Sequence, residues 1–287
     1  MKFTKLSWVM HQGSRRSQQA TQVALHTYYA HWPPVLTVHW AHSGCWLESG
    51  SDDEIIMIWD LDPTGSGKAL KAMLQISLRL QRSISLLQML IKLDMHQGFV
   101  KGVCWDPVGE FLATQSDDRT VCIWRTTDWC LEATVTKPFE CLPGSTFFHR
   151  LSWSPNGAHT TASNATNNNG YVFTAAIVLH NAWMSDISLV GYENTVEVAC
   201  YNTHIFLRNP QMLVVTSNIC SVVAPGADDR SISIWQMKST RPIIVAKEVF
   251  ERQIMDLSWY ADGRYECLRI LRIPANCEPV KMNPAIL

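Results

Sequence analysis

Three pairs of adjacent carboxylates, Asp52/Asp53, Asp117/Asp118 and Asp228/Asp229, are the residues of this 287-residue chain to which chemistry would first be assigned. Neighbouring acids can divide into a general acid and a general base, or share a divalent cation. Ten histidines and nine cysteines widen the choice to a zinc cluster or a His-activated nucleophile. Spacing weakens these readings. No two of Cys45, Cys104, Cys122, Cys130, Cys141, Cys200, Cys220, Cys267 and Cys277 stand at C-x-x-C spacing, and no G-x-S-x-G, H-E-x-x-H or phosphate-loop pattern is present. Asp53, Asp118 and Asp229 instead each precede a tryptophan, Trp59, Trp124 and Trp235, by six positions. A placement used three times along one chain points to a structural unit. No catalytic, metal-binding or cofactor-binding residue is therefore assigned.

The elements around the acid pairs repeat as well. Trp40 to Trp59 and Trp105 to Trp124 are both 19 residues apart, and in each the Ser-Asp-Asp triplet starts 11 residues after the first tryptophan. Trp153 in LSWSPNGAH and Trp259 in LSWYADGRY keep the first half of the unit. An apolar run ends in Trp, then come a turn (AHSG, DPVG, SPNG, YADG), a second strand, the Asp-Asp turn and a strand such as TVCIW or SISIW. The predicted unit is an antiparallel meander, and small sheets of this kind need neighbours to cover them.

A net charge of −1 and a pI near 6.8 lack the basic excess of a protein that grips nucleic acid through phosphates. Little direct nucleic-acid binding is expected. The first residues lack an apolar signal core, and an odd number of scattered cysteines fits reduced thiols in cytosol or nucleus. The most membrane-like stretch, 69–93, is interrupted by Lys71, Arg79, Arg82 and Lys92, so no membrane span is predicted. Asn164-Ala165-Thr166 is formally a glycosylation triplet and is read as part of a flexible loop.

The Asp-x5-Trp endings, with WD at Trp59-Asp60 and drifted forms at Trp124-Arg125 and Trp235-Gln236, resemble the WD40 repeat, which implies an all-β propeller. MKFTKLSWVMHQG, VKGVCWDPVGEFLATQSDDRTVCIWRTTDW, PGSTFFHRLSWSPNG and GADDRSISIWQMKSTRPIIVAKEVF are similar to successive pieces of the propeller of HIRA-type histone chaperone subunits. The resemblance implies a non-enzymatic nuclear scaffold without cofactors. It further implies replication-independent deposition of histone H3–H4 and repression of histone genes. Expected partners are a ubinuclein-type subunit and, through the complex, H3–H4. The region that follows the propeller in the family, expected to recruit a second chaperone, lies outside this sequence. Other readings are a different WD adaptor, such as the propeller subunit of replication-coupled chromatin assembly factor, a non-functional truncated copy, or a metal-dependent or catalytic domain.

The family propeller is seven-bladed, whereas about four to five blades plus partial ends are recognisable here. Residues 1–35 read as a degenerate first-blade remnant, 36–267 as propeller blades, and 268–287 as a non-family tail. Trp40 to Trp105 is 65 residues, longer than one repeat, and 61–93 reads as a helical or disordered insert in place of a blade. An incomplete ring of marginal stability is expected. Within it the structural repeat residues are Trp40, Asp53, Trp59, His96, Trp105, Asp118, Trp124, Trp153, Asp229, Trp235 and Trp259. The resemblance implies that the second Asp of a pair joins the following Trp and a preceding His, such as His96. Candidate partner-binding residues are the non-repeating, exposed ones: Arg125, Asp128, Trp129, residues 137–139, Phe147, Phe148, His149, Arg150 and Arg230.

Overall fold

The computed structural model describes residues 34–60, 88–142, 149–167, 169–209, 211–213, 215, 217–248, 250–259 and 268–270. They form four antiparallel four-stranded sheets, or blades, and the first two strands of a fifth. Blade I comprises β1 (Val35–Trp40), β2 (Trp46–Ser51), β3 (Ile56–Asp60) and β4 (Gln88–Leu93). Blade II comprises β5 (Val100–Trp105), β6 (Phe111–Ser116), β7 (Thr120–Arg125) and β8 (Leu131–Val135). Blade III comprises β9 (Ser152–Trp153), β10 (His159–Asn167), β11 (Val172–Leu179) and β12 (Ile187–Tyr192). Blade IV begins with β13 (Val196–Tyr201), inserts the small hairpin β14 (Phe206–Leu207) and β15 (Ile219–Cys220), and continues with β16 (Val222–Ala227), β17 (Ile232–Gln236) and β18 (Ile244–Ala246). β19 (Leu257–Trp259) and β20 (Leu268–Ile270) start blade V.

The first strands β1, β5, β9, β13 and β19 pack in succession, so the blades follow one another around an axis. The core is accordingly a series of layers between blades. Ile56, Ile58, Val100, Trp105 and Trp124 lie between I and II, and Ala113, Ile123, Leu151, Trp153 and Val178 between II and III. Blades II and IV have neighbours on both faces, which explains why β7 and β17 are nearly continuous buried runs rather than alternating ones. Close approach fixes some identities. A Cβ on Gly102 would sit 1.7 Å from the His149 carbonyl oxygen, so only glycine lets the chain entering β9 reach β5.

The turns repeat bond for bond. Gly44, Gly109 and Gly157, with φ of 71°, 80° and 70°, donate their N–H groups to the carbonyls of Ala41, Asp106 and Ser154. At the opposite end of the blades, Glu54, Arg119 and Arg230 follow the Asp-Asp pairs in the left-handed region, with φ of 67°, 66° and 67°.

Two expected boundaries shift. Gln88–Leu93, the end of the stretch read as a helical or disordered insert, is the outer strand of blade I, in antiparallel register with β3. Leucine- and isoleucine-rich spacing suits helix and strand alike, and pairing decides between them: Leu93 is buried while Lys92 is exposed. The 65-residue interval therefore holds one blade, with 61–87, outside the described residues, joining its third and fourth strands. Leu268–Ile270, expected to be tail without a returning strand, pairs with β19. Of the proposed first-blade remnant, 1–33 lies outside the described residues, and Val35 already belongs to β1.

Candidate functional site

The chemistry-bearing residues of blade II converge on one buried network. His96, just before β5, is 3% exposed; its Nδ1 lies 2.7 Å from Asp118 Oδ2 and its Nε2 2.8 Å from Thr114 Oγ1. Trp124 Nε1–H donates to the same Thr114 oxygen at 3.0 Å, and the Thr114 hydroxyl reaches the Cys122 carbonyl at 3.5 Å. Asp118 also accepts the Gln97 N–H at 3.0 Å, the Thr120 N–H at 3.0 Å and the Thr120 hydroxyl at 2.7 Å. With the Thr114 proton on Cys122, both its lone pairs are left for Trp124 and His96. His96 then donates from both nitrogens, which makes it an imidazolium facing a carboxylate. Burial by itself lowers the His96 pKa, but the bonds to Asp118 and Cys122 outweigh it and raise the value to about 9. Burial raises Asp118, and its bond to His96 and that ring's charge more than reverse this, to about 2. An imidazole engaged at both nitrogens has no lone pair with which to act as a base.

Thr114 was not anticipated by the sequence reading, although a signal was present: it stands ten residues before Trp124. Ser49 stands ten before Trp59 and accepts that indole N–H at 3.0 Å. In blade IV the same place is held by Pro225, which has no hydroxyl. Trp235 Nε1–H there donates to Ser233 Oγ at 2.8 Å, and Ser233 bonds the Tyr192 hydroxyl at 2.5 Å. Glu193 N–H donates to Asp229 Oδ2 at 2.6 Å, as Gln97 does to Asp118, so Tyr192 occupies the place of His96. Burial pushes the Tyr192 phenol up to about 12. Blade III lacks the network. In the registers Leu112↔Trp124 and Thr160↔Val178, Val178 stands where the tryptophan would be, and Ala162 replaces the threonine.

A second recurring group joins neighbouring blades. Trp129, in the left-handed region with φ of 57°, packs 5.5 Å from Trp46 and 6.1 Å from Trp105, ring centre to ring centre. Trp183, with φ of 51°, repeats this 5.2 Å from Phe111 and 6.2 Å from Trp153. At the III/IV junction the left-handed residue is Lys238, φ 64°, which follows Trp235 by three positions where Trp129 follows Trp124 by five, and its charge acts on His159. Burial and then the Lys238 charge lower the His159 pKa. Trp46 and Trp183, also missed from the sequence, are therefore the partners that place Trp105 and Trp153.

The residues expected to be free for partners divide. Arg125 is half-buried and holds the exposed Asp128 at 2.9 Å and Glu132 at 3.0 Å; Arg230 is exposed, 3.9 Å from Glu248. Other expectations of exposure are corrected. Trp129 is half-buried in the aromatic junction, because its left-handed backbone turns the ring onto Trp46 and Trp105. His149 is 2% exposed, with Nε2 2.9 Å from Asn164 Nδ2. Arg150 is half-buried and reaches Thr37 Oγ1 of blade I at 3.2 Å, because the chain entering β9 runs along the inner side of the ring. Residues 137–139 form a short 3₁₀ turn whose Phe139 is 1% exposed. Phe147 and Phe148 lie outside the described residues.

Among the described residues no three His, Cys, Asp or Glu side chains gather as metal ligands would, and the seven described cysteines are free thiols. No helix among them is long and apolar enough to cross a membrane.

Comparison with known proteins agrees with this geometry. The WD domain, G-beta repeat family matches residues 22–60 and 87–125. The chain is 46% identical over 274 residues to Protein HIR1 of Cryptococcus neoformans, a match covering 83% of this chain and 30% of that protein. It is 40% identical over 275 residues to Protein HIR1 of Mycosarcoma maydis (83% and 26%), and 34% identical over 270 residues to Protein hir1 of Schizosaccharomyces pombe (81% and 28%). The chain thus spans less than a third of the length of these curated relatives. Repeat pattern, turn geometry and likeness together place the chain in the HIRA family of WD40-repeat proteins.

Proposed function

We propose that the chain is a non-enzymatic scaffold: the propeller portion of a HIRA-type histone chaperone complex, acting in the nucleus in replication-independent H3–H4 deposition and repression of histone genes. The observation that carries this reading is the 46% identity to Protein HIR1 over 83% of the chain. The buried polar groups support it. His96, Asp118 and Thr114 are spent on blade cohesion, which leaves the rigid loops and edges as the working surface. The direct partner is a ubinuclein-type subunit, with H3–H4 held indirectly through the complex.

The test is a thermal melt of the purified chain with and without a ubinuclein-type fragment, paired with a pull-down. A cooperative transition raised by the fragment supports the scaffold, since a ligand of the native state stabilises by mass action. A transition unmoved by the fragment, with selective capture of replication-coupled assembly subunits, would transfer the chain to the other chromatin propeller.

A further inference from the structure

The turn between the first and second strands is five residues long in blades I to III, spanning 41–45, 106–110 and 154–158. In blade IV the same place is held by 202–221. The closing bond is kept. Asn202 N–H donates to the Val222 carbonyl at 2.9 Å, as Asp106 does to Phe111 at 3.0 Å. The insertion is therefore grafted onto an intact turn base and leaves the blade register undisturbed.

The described residues of the insertion are held together by hydrogen bonds. β14 pairs with β15, and Asn218, 4% exposed, fastens the loop they enclose: Nδ2 donates to the Asn209 and Leu213 carbonyls at 3.0 Å, and Oδ1 accepts the Asn209 N–H at 2.9 Å. Arg208 ties the knob to the blade by donating to the Met237 carbonyl at 2.6 Å. What this backbone presents is apolar. Met212 is 59% exposed, Leu213 82%, Val215 46% and Ile205 47%. Ordering a polar loop so that it displays Met, Leu, Val and Ile to water costs free energy with no return inside the fold.

The two blade IV stretches that carry the knob have one sign of charge. Neither 202–227 nor 236–246 contains an Asp or Glu, while Arg208, Lys238 and Arg241 are all exposed there. The Arg208–Met237 and Gln236–Cys220 bonds hold the two stretches together. An apolar tip on a basic base selects a partner with apolar side chains flanked by carboxylates.

We propose that the blade IV hairpin, with Leu213 and Met212 at its tip and Lys238 and Arg241 at its base, is a docking surface for an acidic, apolar segment of a protein partner. The proposal rests on the scaffold reading and names the surface that such a scaffold offers. The apolar tip supplies affinity and the basic base supplies orientation and rate.

The test uses the full chain and three probes: a labelled amphipathic peptide of Leu and Glu, its Leu and Lys counterpart, and anionic lipid vesicles. The Leu/Glu peptide should bind, and the Leu213→Ser, Met212→Ser double variant should weaken it by about tenfold or more while the melting curve stays unchanged, since both side chains are exposed. Arg241→Glu should weaken it severalfold at low salt and little at high salt. Equal binding of both peptides, an unaffected double variant, preferential uptake by vesicles, or self-association of the chain relieved by Leu213→Ser would each overturn the proposal. A ubinuclein-type fragment that still binds the double variant at full strength would remove the hairpin from that interaction and leave the scaffold reading standing. A fragment that binds neither chain, while the Leu/Glu peptide binds only the unaltered one, would do the reverse.

Discussion

Blades II and IV are built on one strand plan with different interior chemistry. In blade II an imidazolium–carboxylate pair, a threonine and an indole close one network, and Trp129 seals the junction to blade I. In blade IV a proline removes the central hydroxyl, a phenol stands for the imidazole, and the left-handed corner residue is Lys238 rather than an aromatic one. The Asp-Asp turn is nonetheless the same, with Arg119 and Arg230 N–H donating to the Ser116 and Ala227 carbonyls at 3.3 and 3.2 Å. The strand plan is thus set by turns and apolar faces, and the polar network is a reinforcement that one blade carries as an ion pair and another as neutral groups.

The largest expected contrast lies at the junctions. Trp129→Ala removes a ring packed on Trp46 and Trp105, at a cost of about 3 kcal/mol, the lower end for such truncations because the ring is partly exposed. Lys238→Ala, at the left-handed corner of the III/IV junction, should change stability by no more than about 0.5 kcal/mol. Denaturant titration of both variants measures the gap. Equal losses would show that the left-handed corner, rather than the aromatic contact, carries the stability.

Inside the blades the ranking should be the same, on a smaller scale. Asp118→Asn leaves the buried His96 without its countercharge, and about 2 to 3 kcal/mol is expected because Asp118 keeps some contact with solvent. Tyr192→Phe deletes one neutral hydrogen bond and should cost about 1 kcal/mol. Titration sharpens this. The folded value of about 9 for His96 exceeds its unfolded value, so its contribution is complete below about pH 6.5 and is lost as the pH climbs through 9. Asp118, lowered to about 2, contributes fully above about pH 4 and loses that contribution as the pH falls toward 2. His159 has the opposite sign. Its lowered value makes the III/IV junction weaken as the pH drops below about 6.5, where the unfolded chain takes up the proton first. Ring proton shifts followed by NMR should therefore show His96 still charged at pH 8 and His159 taking up its proton only below the ordinary histidine range. A His96 ring that titrates near 6.5 would sink the imidazolium assignment.

Much of this architecture was legible from sequence because the repeated residues have local jobs. The Asp-Asp turn and the Gly at the first turn act within a few positions, and they recur wherever the turn does. What could not be read depends on contacts across the fold. Gln88–Leu93 becomes a strand only because β3 pairs with it, and Trp129 is inside because Trp46 of the previous blade receives it. His149 and Arg150 share this character. Their burial comes from contacts across the fold, to which no pattern in HRLSWSPNG points. Thr114 lies between these cases, since its spacing from Trp124 was visible but its function needed His96 beside it.

The smallest expected effect tests whether the two interiors are interchangeable. Pro225→Thr returns a hydroxyl ten residues before Trp235, and Tyr192→His returns the imidazole opposite Asp229. Either change alone should be neutral or destabilise by about 1 kcal/mol, because each new group meets only half of its partners. Together they rebuild the donor and acceptor set of blade II. A double-mutant cycle should give a favourable coupling of about 1 kcal/mol, with an imidazole that titrates above 6.5. Zero coupling would mean that the Ser233 route is fixed by the backbone of β17, so that blade IV kept its own network for geometric reasons and the proline is a consequence of that geometry rather than its cause.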